Sequence, residues 1–239
     1  LGIPLETIAI LDNFCWCSSD DPGRLAQLKS AAVGCYDGST GFKTPFISGK
    51  DSMFNDFSGF DEHNNPVKVS VPPTLLVSSI GIHPDVTKAV SLDAKLEGDL
   101  VYLIGETHVE LGGSEYYTHL GYCGGIVPGL DIVAMKSRYQ RLSGAILHDL
   151  VASAFPVTHG GLVIALAKVA IAGKIGMDVT ISGDMRPDYL LFSETLGRFI
   201  VTIAPDKKRS FELAMGSDAT LIGRVTGKNL QITGKAFRI

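Results

Sequence analysis

The sequence is poor in several things, and each shortage removes a class of function. Its 239 residues include four cysteines, Cys15, Cys17, Cys35 and Cys123, in neither a CxxC pair nor a repeated metal knuckle. That is too few for a disulfide scaffold, and the pattern reads as reduced thiols in a cytoplasmic protein. No run approaches 18 uninterrupted apolar residues, so no membrane-spanning helix is expected. Basic residues are not in excess: 21 Lys and Arg against 25 Asp and Glu give a formal charge of -4. A basic surface is what displaces counterions from nucleic acid, so non-specific nucleic-acid binding is disfavoured, though a nucleotide ligand is not. The start, Leu1 to Pro4, lacks both a charged signal-peptide region and an initiator Met, which suggests a chain cut from something longer.

What is present suits a soluble globular protein: 45% hydrophobic and 19% charged residues, long enough to bury a real core. Apolar runs at 6–11, 45–48, 67–71 and 74–82 predict strands, the first ending at Asp12-Asn13. Helical spacing covers 24–36, and the polar, turn-rich stretch 57–66 predicts an exposed loop. Beyond a turn at 96–99 the chain alternates. Strands are predicted over 100–104, 177–181, 199–203 and 219–225, with helices over 138–153, 162–172 and 207–215. The helix at 162–172 is apolar nearly all round and so is expected to be deeply buried. The expected boundary puts one domain at 1–90 and a second at 91–239.

Three clusters could carry chemistry. Asp12 after a strand and the string SGKDSMFN (48–55) place carboxylates, a glycine and a lysine near one another in type if not yet in space. A carboxylate there suits a hard cation or a nucleotide hydroxyl, Gly49 admits close backbone approach, and Lys50 offers phosphate a point charge. A turn or cap role for the Asp is the plainer alternative. Thr158, Gly160 and Gly161 open a helix, where free amides make an anion site; equally, the glycines serve packing and Thr158 caps the helix. Gly112-Gly113-Ser114 before a polar start has the same two readings. In LFSETLGR (191–198), Glu194 and Arg198 could form a salt bridge at a turn. The histidines have no metal-ligand spacing.

Taken in order, DN (12–13), SGKDSMFN, PPT (72–74), GGSEY (112–116), THGGL (158–162) and LFSETLGR resemble the second half of phosphoribosylformylglycinamidine synthases. These belong to the superfamily of aminoimidazole ribonucleotide synthetase and selenophosphate synthetase. The resemblance covers essentially the whole chain. It implies an α+β fold: a truncated N-terminal-like domain that binds nucleotide and dimerises, followed by an α/β C-terminal-like domain. It also implies a ligase of purine biosynthesis that converts formylglycinamide ribonucleotide, ATP and glutamine-derived ammonia to the amidine, ADP and phosphate. The catalytic His of such enzymes lies in the half not seen here, so no catalytic residue is expected in this chain and the chain alone is expected to be inactive.

By the same resemblance Asp12, Gly49 and Lys50 contact ATP and Ser52 contacts substrate. Lys50 stands where smaller members place a magnesium-binding Asn, leaving Asp51 as the candidate ligand for Mg2+. Pro156 departs from the family's run before the helix at 162–172; the metal-binding Asp of that run is gone, and Thr158 keeps only a hydroxyl. Implied partners are the N-terminal half, a glutaminase subunit and a small accessory subunit, and the chain is expected to homodimerise through exposed strands. Two other readings compete: an ATP-dependent kinase of the same superfamily, and a non-catalytic scaffold half with at most a structural nucleotide.

Overall fold

The computed structural model describes residues 2–239, which fall into two compact units. One spans Ile3–Ile82; the other comprises His83–Ile239 together with Gly2.

The first unit is built on β1 (Ile8–Cys15), α1 (Pro22–Phe42), β2 (Phe46–Ser52), β3 (Asp56–Phe60), β4 (Pro66–Ser70) and β5 (Thr74–Gly81). Its three-stranded sheet has the order β2-β1-β5. β1 runs parallel to β2, across the α1 crossover, and antiparallel to β5. Asp21 starts α1 by accepting hydrogen bonds from the Gly23 and Arg24 amides, with Pro22 in the first turn, and Lys43 ends it in the left-handed conformation. A small core of Phe14, Trp16 and Cys17 is packed by Leu28, Ala31 and Leu75 among others.

Three expectations are corrected here. β1 does not end at Asp12 but runs on to Cys15, because strands pair with it on both sides. The helix is longer than 24–36, since the Asp21 cap holds its start, while at its end Thr40 Oγ1 donates back to the Tyr36 carbonyl and Ser39 Oγ forward to the Thr44 carbonyl. The stretch 57–66 is not all loop: β3 and β4 pair as a hairpin from Asp56↔Ser70 to Phe60↔Pro66. Its turn is held by Asp61, which accepts the His63 and Asn65 amides. Gly59 and the polar turn had masked the strand pattern.

The second unit contains β6 (Leu100–Ile104), α2 (Glu115–His119), α3 (Ile132–Leu147), β7 (Ser153–Pro156), α4 (Gly161–Gly173) and β8 (Gly176–Ile181). It continues with α5 (Pro187–Phe192), β9 (Phe199–Ile203), α6 (Lys208–Met215), β10 (Ala219–Thr226), β11 (Leu230–Gly234) and β12 (Phe237–Arg238). Seven strands form one sheet in the order β12-β11-β8-β10-β6-β9-β7, antiparallel except for the β11–β8 pair. The two-residue period of β6 divides the core: Val101 and Leu103 join a cluster with α4 and α5, while Leu100, Tyr102 and Ile104 join one with α3 and α6. Helices thus cover both faces of the sheet.

Asp131 caps α3 by accepting the Ala134 amide, so this helix starts earlier than expected and stops at Leu147, leaving Ser153 to begin β7. α4 is less buried than its composition suggests. Leu162, Leu166 and Val169 are fully buried against the sheet, but Ile171 is 75% exposed, because a helix on a sheet covers it with one face only. Among the described residues no helix is long and apolar enough to cross a membrane.

Candidate functional site

In the first unit, β1 and β2 bring two of the sequence-selected residues together. Asp12 pairs directly with Gly49, Asn13 with Lys50, Phe14 with Asp51 and Cys15 with Ser52. A side chain at Gly49 would collide with the Asp12 carboxylate: its Cβ would lie 3.0 Å from Asp12 Cγ and nearer still to Oδ1. Any larger residue there would have to push the Asp12 carboxylate aside. The Asp12 charge also reaches α1, since the Cys35 thiol is pushed up first by burial and then by Asp12.

Strand alternation separates the rest of the motif. Asp51 shares the face of Asp12 and Gly49, whereas Lys50 and Ser52 lie on the opposite face with Asn13 and Cys15. β2 is an edge strand, and Gly49, Lys50 and Asp51 are all exposed, so one ligand lying along that edge could reach both faces. Among the described residues no three His, Cys, Asp or Glu side chains converge as a metal cage. Two carboxylates on one face still fit a magnesium ion that keeps waters and is shared with a phosphate chain.

Asn55, the last residue of the SGKDSMFN string, secures this motif. Its Nδ2 donates to the Ser52 carbonyl at 2.7 Å, its backbone amide to the Trp16 carbonyl at 3.0 Å, and its carbonyl accepts from Val71. These bonds hold the end of β2 against the chain leaving β1, with Phe54 in the left-handed conformation between them. An asparagine after a left-handed residue is the signal that could have marked it.

The second unit draws three other motifs together around one carboxylate. Glu194 Oε1 accepts the Gly160 amide at 2.8 Å and the Glu115 amide at 2.9 Å. It thereby joins LFSETLGR to THGGL and to GGSEY. Gly160 itself is the N-cap of α4, in the left-handed conformation and with no side-chain cap, so Thr158 does not cap the helix through its hydroxyl. The Gly161 amide bonds the Thr158 carbonyl at 2.9 Å. Gly161 has φ +70°, and a Cβ there would sit 2.6 Å from Phe192 Cα. The amides at this turn are thus engaged by the chain's own carboxylate and carbonyl.

The expected Glu194–Arg198 salt bridge is not formed. Arg198, 1% exposed, turns instead to its own loop, donating to the Thr195 and Ser193 carbonyls and, at 2.8 Å, to Thr107 Oγ1. Burial lowers its pKa to about 10, with Glu110 and Glu194 opposing the shift, so it stays charged at neutral pH. Thr158, Glu194 and Arg198 line a cleft of about 350 Å³ beside Pro156.

Comparison with known proteins agrees with this layout. Residues 97–235 match the family model for AIR synthase related protein, C-terminal domain. The phosphoribosylformylglycinamidine synthase subunit PurL of Moorella thermoacetica is 33% identical over 94% of this chain, which spans 30% of that relative's length. That of Methanocaldococcus jannaschii is 34% identical over 95% of the chain and 31% of its own length. Among solved structures, Thermotoga maritima PurL complexed with FGAR superposes with a TM-score of 0.73 at 18% identity, covering all of this chain and 39% of that one. At that identity the superposition speaks for the fold, a mixed helix and sheet architecture shared with PurL.

Proposed function

This chain belongs to the AIR synthase related family, and from that premise we propose that it works as the nucleotide-contacting second half of a phosphoribosylformylglycinamidine synthase. The reaction is the ATP-dependent conversion of formylglycinamide ribonucleotide and glutamine-derived ammonia to formylglycinamidine ribonucleotide, ADP and phosphate. The observation that carries the reading is the Asp12–Gly49 pair: a carboxylate on the central strand laid across an exposed glycine of the neighbouring edge strand.

In this reading Asp12 accepts a hydrogen bond from the nucleotide and Gly49 lets its backbone come close. Lys50 balances phosphate charge as a point cation, and Ser52, on the same face, contacts the acceptor substrate. Mg2+ offsets charge on the phosphate chain when bound, with Asp51 the carboxylate placed to hold it. The identity of 33–34% to synthase subunits over nearly the whole chain supports this chemistry over a kinase of the superfamily. Since those relatives are about three times longer, the partners proposed are an N-terminal half, a glutaminase subunit and a small accessory subunit.

The test is calorimetric titration of the chain with ATP, with and without magnesium, beside Asp12→Asn. Magnesium-dependent binding that the variant weakens at least tenfold is the expected result. Equal binding by both proteins would remove Asp12 from the site. A second reading, a scaffold half without a working site, draws on Lys50 at the magnesium position and on the Gly160 amide being taken by Glu194. Absence of any nucleotide binding would favour it.

A further inference from the structure

In the first unit α1 stands off the sheet beneath it. A groove of about 410 Å³ lies between them, floored by Ile10, Phe46, Leu75 and Val77 and roofed by one face of the helix. That roof is thin. Gly34 and Gly38, four residues apart on α1, both line the groove, and a Cβ added at either would meet nothing within 4 Å. None of the 21 residues of α1 is fully buried, so the helix's own side chains do not fill the space. Apolar walls are costly to leave to water, and the volume is within the usual range of small-molecule sites.

One polar side chain at the wall is unmatched. Thr44 lines the groove and is 7% exposed, yet among the described residues its hydroxyl makes no hydrogen bond. Only its backbone is engaged, the amide donating to the Ser39 carbonyl at 3.1 Å and the carbonyl accepting from Ser39 Oγ at 2.8 Å. The hydroxyl oxygen is not sealed in the interior, so a group in the groove can reach it. No charged side chain lines the groove. Cys35 does, and its thiol is pushed up first by burial and then by the Asp12 charge, so the field there is negative. A carboxylate would be repelled, and an ammonium group would lose its hydration with no counter-ion on the walls.

We propose that this groove binds a neutral, largely apolar small molecule with a single hydroxyl, its hydrocarbon between α1 and the sheet and its hydroxyl paired with Thr44. The proposal stands apart from the nucleotide reading, since none of Asp12, Gly49, Lys50 and Ser52 lines the groove.

The test is an amide-resonance titration of the whole chain with 1-octanol, following Gly34 and Gly38. Saturable shifts with a Kd below about 1 mM are expected. The loss of two methylenes should make 1-hexanol roughly tenfold weaker, and octanoate should be weaker by at least about tenfold. Thr44→Val should weaken 1-octanol about fivefold. The pair Gly34→Leu with Gly38→Leu, followed at Ala31 and Cys35, should abolish binding and keep the fold, because leucine favours a helix over glycine. The proposal is overturned by octanoate binding as tightly as 1-octanol, by unchanged affinity in Thr44→Val, by binding that survives the leucine pair, or by no shift up to about 2 mM 1-octanol. A light-scattering mass that halves in the leucine pair would also overturn it, making the groove an interface between copies of the chain.

Discussion

The two units spend their polar residues in opposite ways. In the second, the polar strings are turned inward on one another: Glu194 bonds two amides from distant segments, and Arg198 is taken up by its own loop and by Thr107. Two apolar clusters, one on each face of a seven-stranded sheet, hold that arrangement. In the first unit only Phe14, Trp16 and Cys17 form the buried cluster, α1 has no fully buried residue in its 21 positions, and Leu76, Ile80 and Phe57 stand more than half exposed. Yet Gly49 and Lys50 lie exposed on the edge strand β2, beside half-buried Asp12 on the central strand β1. The polar motifs of the second unit build structure, and those of the first are left available to a ligand.

That contrast can be broken by substitution. The largest effect is expected from Arg198→Ala, which strips donors from two buried carbonyls and a half-buried hydroxyl and leaves Glu110 without its nearby cation. A loss of about 3–5 kcal/mol in the stability of the second unit should follow, read by urea unfolding. A change below about 1 kcal/mol would mean the loop carbonyls are met by water instead. Gly161→Ala comes next, at about 2–4 kcal/mol, since it forces a Cβ against the Phe192 backbone at a positive φ. The same measurement decides it, and a neutral outcome would show that α4 and α5 can move apart freely.

Gly49→Ala should behave differently. It pushes aside a half-buried but movable carboxylate end and no backbone, so stability should change by less than about 1 kcal/mol while ATP affinity falls about tenfold. An equal loss of fold and ligand would erase the distinction between the units. The smallest effect is in acid. Lys95 and Ser91 hold the Asp93 carboxyl down at about 2, below its unfolded value near 3.8. Its contribution is present above pH 4 or so and is lost as pH falls toward 2. Asp93→Asn should flatten the stability profile of the second unit in that window alone.

Much of this organisation could be read from the residues, for identifiable reasons. Apolar runs such as 100–104 and 199–203 are buried on both sides and match β6 and β9 to the residue. The residue types at Asp12 and Gly49 admit a ligand role or a plain turn role, because carboxylate and glycine chemistry is local; their direct pairing is visible only in the sheet. What was not legible depends on contacts between distant segments. Nothing in LFSETLGR says that Glu194 will reach amides 34 and 79 positions away, and local spacing points to Arg198 instead. The continuation of β1 through Asp12 and the β3–β4 hairpin likewise follow from which strands lie alongside, not from their own composition.

The central claim is that nucleotide is held at the β1–β2 edge and not at the glycine turn before α4. Hydrogen exchange of the chain, measured with and without magnesium and ATP, tests it directly. The account predicts slowed exchange confined to β1, β2 and the segment through Asn55, with the Gly160 and Gly161 amides unchanged. Protection of Gly160 and Gly161 with none at Gly49 or Lys50 would contradict it, placing the nucleotide where Glu194 now sits.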